Sequence, residues 1–384
     1  MRFRFVPALV LTLLWTAHIH SPANAEITVG FVTSMSGPNS SLGVLYSRGM
    51  RAASGTTPQI DGVPIRLVEL DDASDPSAAA RNARKLIDAD KADILIGASG
   101  IPATMALAAA SYELKVPLIA VSPISVTGER ASWLVVVPQP LDLMMAADAE
   151  HMKRRGVKTV GYIGYTDALG DLVLAAFTKA AEPLGIRVIA NERFARSDTS
   201  VTAQILRILA AKPDAVLTAG SGAQGALPHI TLAQRGYKGP AYSTHGIINH
   251  DFIRIGGDAV NGVIAPTGPV IVAEQLPDSH PTKKTSLQFR AAYQKIAGEA
   301  PTDAYSAYSY DAFLIFVDAA KRASKKAKPG TREFRDALRD ELFQVRQLAG
   351  THGVYSFRAG ESYGVDERAR VMVHLAKGKW ELLK

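Results

Sequence analysis

The feature that most constrains the fold is an alternation of short apolar runs with helical patterns, which occurs twice along the chain. Apolar runs typical of buried strands form a first set at residues 27–32, 65–70, 94–97 and 118–121, and a second at 159–163, 187–189, 215–218 and 241–243. Between the runs lie apolar stripes of helical spacing, such as Ala79, Ala83, Leu86 and Ile87. Strands that alternate with helices indicate βαβ units and a parallel sheet. Two sets of similar size therefore predict an α/β fold with two doubly wound parallel-sheet lobes.

The segments that follow these sets predict repeated passages between the lobes. Pro138 and Pro140 lie between the two sets, where they would stiffen an extended crossover. A proline-rich stretch at 266–281 comes after the second set. Helical patterns follow at 282–297, 304–326 and 331–342, and strand character returns at 353–357 and 371–375. The spacing alone does not assign these late elements to a lobe.

The first 25 residues are typical of an export signal. Arg2 and Arg4 precede an apolar run at 6–15, and Ala23-Asn24-Ala25 is a small-residue cleavage site. The run is shorter than the roughly 20 residues that span a bilayer, so a retained anchor is the less favoured alternative. We expect residues 1–25 to be a signal peptide and the mature protein to be a periplasmic monomer beginning at Glu26.

Composition and missing motifs exclude several classes of function. The chain has no cysteine, which removes disulfides, thiolate metal sites and cysteine nucleophiles. Its net charge of +7 is scattered, except at residues 321–328, and does not favour a nucleic-acid partner. Neither 97–101 nor 219–223 matches the G-x-S-x-G elbow of hydrolases, and no phosphate loop or H-E-x-x-H pattern occurs. His245 and His250 do not have the i, i+4 spacing of a helical metal pair. We expect no enzyme activity, no cofactor and no metal.

Small polar residues and glycines follow several predicted strands. These turns are at residues 34–37, 98–100, 122–125, 220–222 and 244–246. Ligands of open parallel sheets bind outside the carboxyl ends of the strands. Helices that begin there direct their free N–H groups and positive dipole ends at the same region. Because the pattern occurs in both sets, we expect an anion-binding site between the lobes.

Several of these residues carry a resemblance that extends over nearly the whole mature chain. Val29-Gly30, Ser36-Gly37-Pro38, residues 71–76, Thr351-His352-Gly353 and Gly378-Lys379-Trp380 resemble the leucine/isoleucine/valine-binding family of type I periplasmic binding proteins. The resemblance implies three hinge crossovers, near residues 138–141, 264–269 and 344–348. It implies that residues 26–140 plus 270–345 form lobe 1 and residues 141–269 plus 346–384 form lobe 2. It also implies closure over a small-molecule ligand, which is delivered to the membrane permease of an ABC importer.

Departures from that family indicate which ligand the chain takes. Where amino-acid binders of the family hold the ligand ammonium with a glutamate, this chain has His245. The family's aromatic positions are matched by Leu42, Leu169 and Ser221, and its carboxylate-binding threonine by Ile124 or Val126, with Ser122 and Ser125 as nearby substitutes. An ammonium buried without a negative partner costs several kcal/mol.

The resemblance and its departures together imply a receptor for a small apolar carboxylate, in a branch similar to aromatic-acid binders. The expected ligand-binding residues are Leu42, Ser99, Gly100, Ser122, Ser125, Leu169, Ser221 and His245. A receptor for branched-chain amino acids or amides, with His245 replacing the glutamate, is the alternative. A periplasmic hydrolase that uses His245 and a serine is disfavoured by the missing elbow.

Overall fold

The chain folds around two sheets, as a computed structural model shows. It describes Met1 and residues 26–383, so the predicted signal peptide lies, apart from Met1, outside the described residues. The first part of the chain contains, in order, β1 Ile27–Thr33, α1 Ser40–Thr56, β2 Gln59–Ile60, β3 Val63–Asp71, α2 Pro76–Asp88, β4 Ile94–Gly97, α3 Ile101–Leu114, β5 Leu118–Ala120 and β6 Leu134–Val136. These strands form one sheet in the spatial order β2-β3-β1-β4-β5-β6, parallel except for β2.

The second sheet is built from the later strands. The chain continues with α4 Leu141–Arg154, β7 Thr159–Tyr165, α5 Ala168–Ala181, β8 Arg187–Phe194, α6 Thr202–Ala210, β9 Ala215–Ala219, α7 Ala226–Gln234, β10 Ala241–Ser243, α8 His250–Gly256 and β11 Ile264–Thr267. It ends with α9 Lys283–Ala297, α10 Tyr305–Ala323, α11 Arg332–Leu342, β12 Leu348–Ala349, β13 Val354–Tyr355, β14 Val371–Ala376 and β15 Lys379–Leu382. The spatial order is β15-β14-β11-β10-β9-β7-β8, in which β14 and β15 are antiparallel additions to a parallel core.

Both faces of the first sheet are covered by helices. Successive apolar side chains along its strands point to opposite faces, so each face needs a cover. Ile94 and Ile96 of β4 join the core cluster that contains residues of α1 and α10. Leu95 points the other way and joins Leu86 of α2 and Leu107 of α3. Because successive side chains of a strand point to opposite faces, one short apolar run serves both cores.

The predicted α/β fold with two parallel-sheet lobes is confirmed. All the predicted strands of both sets are present, and β7 and β8 extend further than their apolar runs indicated. The start of α2 follows from its sequence, because Asp75 accepts hydrogen bonds from the N–H groups of Ser77 and Ala78 at 2.6 and 2.9 Å, ahead of Pro76.

Some elements differ from the sequence-based expectation. The hinge strand expected near residues 264–269 is present as Ile264–Thr267, which pairs with β10 and β14, and its role as a hinge stays a prediction. The short strands β2, β6, β12 and β15 were not predicted. The helical pattern at 304–326 ends earlier, at Ala323. None of the helices within residues 26–383 is both long and apolar enough to cross a bilayer.

The chain passes between the two sheets three times. It leaves the first sheet after β6, and α4 packs beside α5 on the second. After β11 it returns to α9 and α10, which pack on α1, and after α11 it goes back to β14. The carboxyl ends of strands from both sheets therefore face one cleft. The lobe boundaries drawn from the sequence stay a prediction.

Candidate functional site

A small cavity lies between the strand ends of the two lobes. This is where open α/β sheets place their small-molecule sites. Its lining residues come from both lobes: Leu42, Tyr46, Ser99, Gly100, Ile101, Ser122, Pro123, Pro138, Leu141, Leu169, Arg196, Ser221, Thr244, His245, Gly246, Tyr305 and Tyr308.

The start of α3 forms one polar end of the cavity. Ser99 and Gly100 follow β4 directly, and α3 begins at Ile101. The hydroxyl of Ser99 is held at 2.7 Å from the Thr33 hydroxyl and accepts the backbone N–H of Ser34 at 2.9 Å. The Ser122 hydroxyl donates to the Ala98 carbonyl at 2.7 Å. The first turn of a helix leaves its N–H groups without intrahelical acceptors, so this end of the cavity favours an anion.

Three tyrosine rings form the wall of the cavity on the lobe 1 side. Tyr46 and Tyr305 meet edge to face with their ring centroids 5.4 Å apart, and Tyr308 lies 6.3 Å from Tyr305. Their hydroxyls donate into the protein, to Val121 O at 2.6 Å, Gly246 O at 2.5 Å and Gln139 Oε1 at 2.7 Å respectively. Burial raises the pKa of all three hydroxyls, so they stay neutral. The aromatic side chains of the cavity thus come from α1 and α10, and not from the positions of Leu42, Leu169 and Ser221.

His245 lies in the lobe 2 side of the cavity, in the turn after β10. Thr244 fixes this turn by accepting the N–H of Gly246 at 3.1 Å and donating to Gly220 O at 3.1 Å. His245 is only 6% exposed, and its Nδ1 has no hydrogen-bond partner among residues 26–383. Burial lowers the pKa of the imidazole to about 4, so it is neutral at pH 7. It can give a ligand one donor or one acceptor.

Arg196 is a charged residue of the cavity that the sequence analysis missed. Its Nε donates to Asp167 Oδ2 at 2.6 Å, and its guanidinium carbon lies 4.0 Å from the ring centroid of Tyr165. Its Nη1 reaches Ser221 Oγ at 3.1 Å and, from the other lobe, Asn39 Oδ1 at 3.2 Å. Arg196 follows β8, so the rule that ligands bind beyond strand ends would have included it.

The structure brings most of the predicted site residues together. Seven line the cavity, namely Leu42, Ser99, Gly100, Ser122, Leu169, Ser221 and His245. Ser125 does not line it, because Ile124 turns inward, with its carbonyl accepting the Tyr363 hydroxyl at 2.8 Å, and Ser125 faces a separate surface hollow. Tyr46 lies one helical turn after Leu42, and Tyr308 one turn after Tyr305, so helical spacing was a usable signal for these rings.

Comparisons with known proteins cover most of the chain. Residues 26–361 match the family described as periplasmic binding protein. A crystal structure of an extracellular ligand-binding receptor from Rhodopseudomonas palustris HaA2 is 42% identical, has a TM-score of 0.90, and covers 94% of this chain and 100% of its own.

Two more distant relatives differ in their ligands. A solute-binding protein of an ABC transporter from R. palustris, solved in complex with benzoate, is 21% identical with a TM-score of 0.77, over 93% of this chain and 95% of its own. An amino acid binding protein of Pseudomonas aeruginosa PAO1 is 25% identical over 302 residues, which is 75% of this chain and 76% of that protein. The fold is common to binders of both kinds of ligand, so the ligand has to be argued from the cavity.

Proposed function

Because the chain belongs to the periplasmic binding protein family, we propose that it is the substrate-binding component of an ABC importer and that its cavity binds a small aromatic acid. Its relatives are ligand-binding receptors, and the family places it in the periplasm. The partner permease, the monomeric state and the cleavable signal peptide are further parts of this proposal.

The observation that carries the ligand class is the charge of the cavity lining. Within residues 26–383, no aspartate or glutamate lines the cavity, and its one charged lining residue is Arg196. Asp167 is already engaged by Arg196 Nε at 2.6 Å. A buried ammonium would lack a counter-charge and would lose several kcal/mol of binding free energy. A carboxylate meets no such penalty at the start of α3.

The apolar walls support a ring as the body of the ligand. Tyr46 and Tyr305 present ring surface to the cavity, and Leu42, Leu141 and Leu169 add aliphatic surface. The tyrosine hydroxyls are turned into the protein, so these side chains offer faces and edges of rings rather than polar groups. Aromatic pairs in edge or offset contact contribute about 0.5–1.5 kcal/mol beyond the burial of their area.

We therefore assign the ends of the ligand as follows. The carboxylate lies at Ser99, Gly100 and Ser122, where α3 begins. The ring lies between the leucines and the tyrosines. From lobe 2, His245 donates a hydrogen bond to an oxygen of the same carboxylate, and Arg196 lines that side of the cavity.

A panel of matched ligands tests this proposal by thermal shift and calorimetric titration. Benzoate against benzamide isolates the carboxylate, and 3-phenylpropionate against phenylalanine isolates the ammonium. Benzoate against cyclohexanecarboxylate isolates the aromatic ring. We expect the first compound of each pair to bind more tightly than the second. A compound that binds should raise the free energy of unfolding by about 2.7 kcal/mol at a concentration of a hundred times its Kd.

Tighter binding of phenylalanine than of 3-phenylpropionate would contradict the proposal and favour an amino-acid receptor. Equal affinities for benzoate and benzamide would contradict the proposed anion site at the start of α3. Turnover of phenyl or benzoate esters would favour the hydrolase instead. The mass of a small molecule that copurifies with the protein would give an independent identification.

A further inference from the structure

Asn39 occupies an N-cap position but does not cap its helix. It precedes α1, and its side chain makes no hydrogen bond to the first turn. Four other polar N-cap residues, Asp75, Asp167, Asn249 and Thr331, each accept an N–H of their own helix, whereas Thr282 before α9 does not. Asn249 is the matched case, since its Oδ1 accepts the N–H of Phe252 at 2.9 Å. The side chain of Asn39 is therefore used elsewhere.

The side chain of Asn39 contacts the opposite lobe. Its Oδ1 accepts a hydrogen bond from Arg196 Nη1 at 3.2 Å. Arg196 does not depend on this contact for its position, because Asp167, Tyr165 and Ser221 hold it within lobe 2. The arginine is thus a fixed donor, and Asn39 is the group that meets it when the lobes are together.

The same asparagine lies beside the start of α3. A Cβ on Gly100 would come within 2.8 Å of Asn39 Nδ2, and Asn39 is only 8% exposed. The carbonyl end of the amide thus contacts lobe 2, while its nitrogen end lies next to the place where the ligand carboxylate is assigned.

The two lobes also approach each other closely next to the contact between Asn39 and Arg196. Gly222 of lobe 2 has φ +59°, and a Cβ there would lie 2.8 Å from Ser41 Oγ of lobe 1. The N–H of Ala223 points to the same hydroxyl at 3.4 Å. The start of α1 is thus one part of lobe 1 that lobe 2 covers, and the start of α10, where Tyr305 donates to Gly246 O, is another.

We propose that Asn39 and Arg196 form a latch between the lobes, which sets the fraction of closed protein and makes Asn39 a positioning residue for ligand retention. The proposal rests on the proposed function, because a latch has a role only in a receptor that opens and closes. The apparent Kd of a ligand depends on the fraction of protein that is closed. The Asn39–Arg196 contact raises this fraction, so it increases the affinity for a ligand that touches neither residue.

The test measures closure without ligand, so it does not depend on the ligand's identity. The chain has no cysteine, so Ser77→Cys in lobe 1 and Thr199→Cys in lobe 2, both at exposed positions, allow site-specific labelling for distance measurements. Asn39→Ser keeps a good N-cap residue but is too short to reach Arg196. Asn39→Asp also keeps a good N-cap residue, and it turns the contact with Arg196 into an ion pair.

We expect the two substitutions to act in opposite directions. Asn39→Ser should lower the ratio of closed to open protein by about tenfold, as expected for the loss of a hydrogen bond to a charged group. Asn39→Asp should raise this ratio at low salt, and the increase should shrink at high salt because an ion pair is screened. Arg196→Lys should resemble Asn39→Ser, because lysine lacks the planar fork that reaches three partners.

Arg193→Lys is the matched control. Arg193 pairs with Asp171 and donates to Tyr165 O within lobe 2, so we expect the closed fraction to stay within twofold. Unchanged closure in Asn39→Ser, or a shift of Asn39→Ser and Asn39→Asp in the same direction, would overturn the latch. If the Asn39 and Arg196 variants shift the closed fraction as expected while no acid of the panel binds, the proposed ligand class is contradicted and the latch is supported.

Discussion

His245 offers the sharpest test of how the cavity recognises its ligand. The resemblance matches this position to a glutamate of the family's amino-acid binders. The side chain is 6% exposed, and its Nδ1 has no partner among the described residues. A hydrogen bond to a charged ligand group contributes about 1.5–3 kcal/mol. We therefore expect His245→Ala to weaken the binding of benzoate or cinnamate by about ten- to a hundredfold in a calorimetric titration.

Two further substitutions at this position separate the hydrogen bond from the charge. His245→Gln keeps a neutral donor of similar reach, and it should recover most of the affinity that His245→Ala loses. His245→Glu places a carboxylate beside the bound acid, so its affinity for the acid should fall below that of His245→Ala. It should bind phenylalanine better than the wild type does, because the ammonium gains a partner.

The pH dependence of closure without ligand gives an independent check on the burial of His245. Burial lowers its pKa to about 4, and solvent exposure in an open protein restores a value near 6.5. The closed state is then favoured while the imidazole is neutral, so the closed fraction of the ligand-free protein should decrease as the pH falls from about 6.5 towards 4. His245→Gln should lack this decrease.

Ser125→Ala is the control, because Ser125 was expected in the site but lies outside the cavity. Its affinity for the acids should be unchanged. If His245→Ala and His245→Glu both bind benzoate and cinnamate as the wild type does, the reasoning is refuted and His245 does not contact the ligand.

The remaining predictions concern stability and closure. Both carboxylate oxygens of Asp148 are buried without a partner among residues 26–383, and burial raises its pKa well above the usual value. Because the unfolded carboxyl ionises near pH 4, the wild type should lose stability as the pH rises above that value, and the advantage of Asp148→Asn in urea unfolding should grow with pH. Gly268→Ala should lower the free energy of unfolding by about 1–3 kcal/mol or more, because its Cβ would lie 1.8 Å from His352 Nδ1. Gly55→Ala, a helical position with open space, should raise it by about 0.5–1 kcal/mol. Tyr305→Phe keeps the ring but loses the bond to Gly246 O, and ligand dissociation in stopped flow should quicken by about fivefold.

The sequence was sufficient for elements whose pattern repeats locally. β1 and β4 are largely apolar and are buried at every position because both faces of a parallel strand are covered, and the stripe of α2 has the helical period. β6 was missed because no α-helix lies between it and β5, so the alternation of strands and helices does not predict it. β15 is a short antiparallel edge strand, which alternation of strand and helix does not predict.

The site was harder to predict where it depends on contacts between distant parts of the chain. Strand-end residues such as Ser99 and His245 followed from the rule about parallel sheets. The contact of Asn39 with Arg196 joins residues 157 positions apart, and each has a sufficient local explanation, one as a helix cap and the other as a surface ion pair. No local pattern distinguishes these roles from an inter-lobe contact.

Helix α10 joins the ligand cavity to the crossovers through three positions on one face. Tyr305 and Tyr308 line the cavity, and Asp311, one turn further, accepts the backbone N–H groups of Thr351 and His352 at 2.7 and 3.0 Å. Tyr308 donates to Gln139 Oε1 in the first crossover, and its ring stacks on His352 in the third with centroids 3.8 Å apart. Packed interiors transmit small displacements rather than absorb them. A displacement of Tyr308 by a ligand would therefore also move its neighbours in the first and third crossovers. The tyrosine wall of the cavity and two of the three crossovers are therefore parts of the same packed unit.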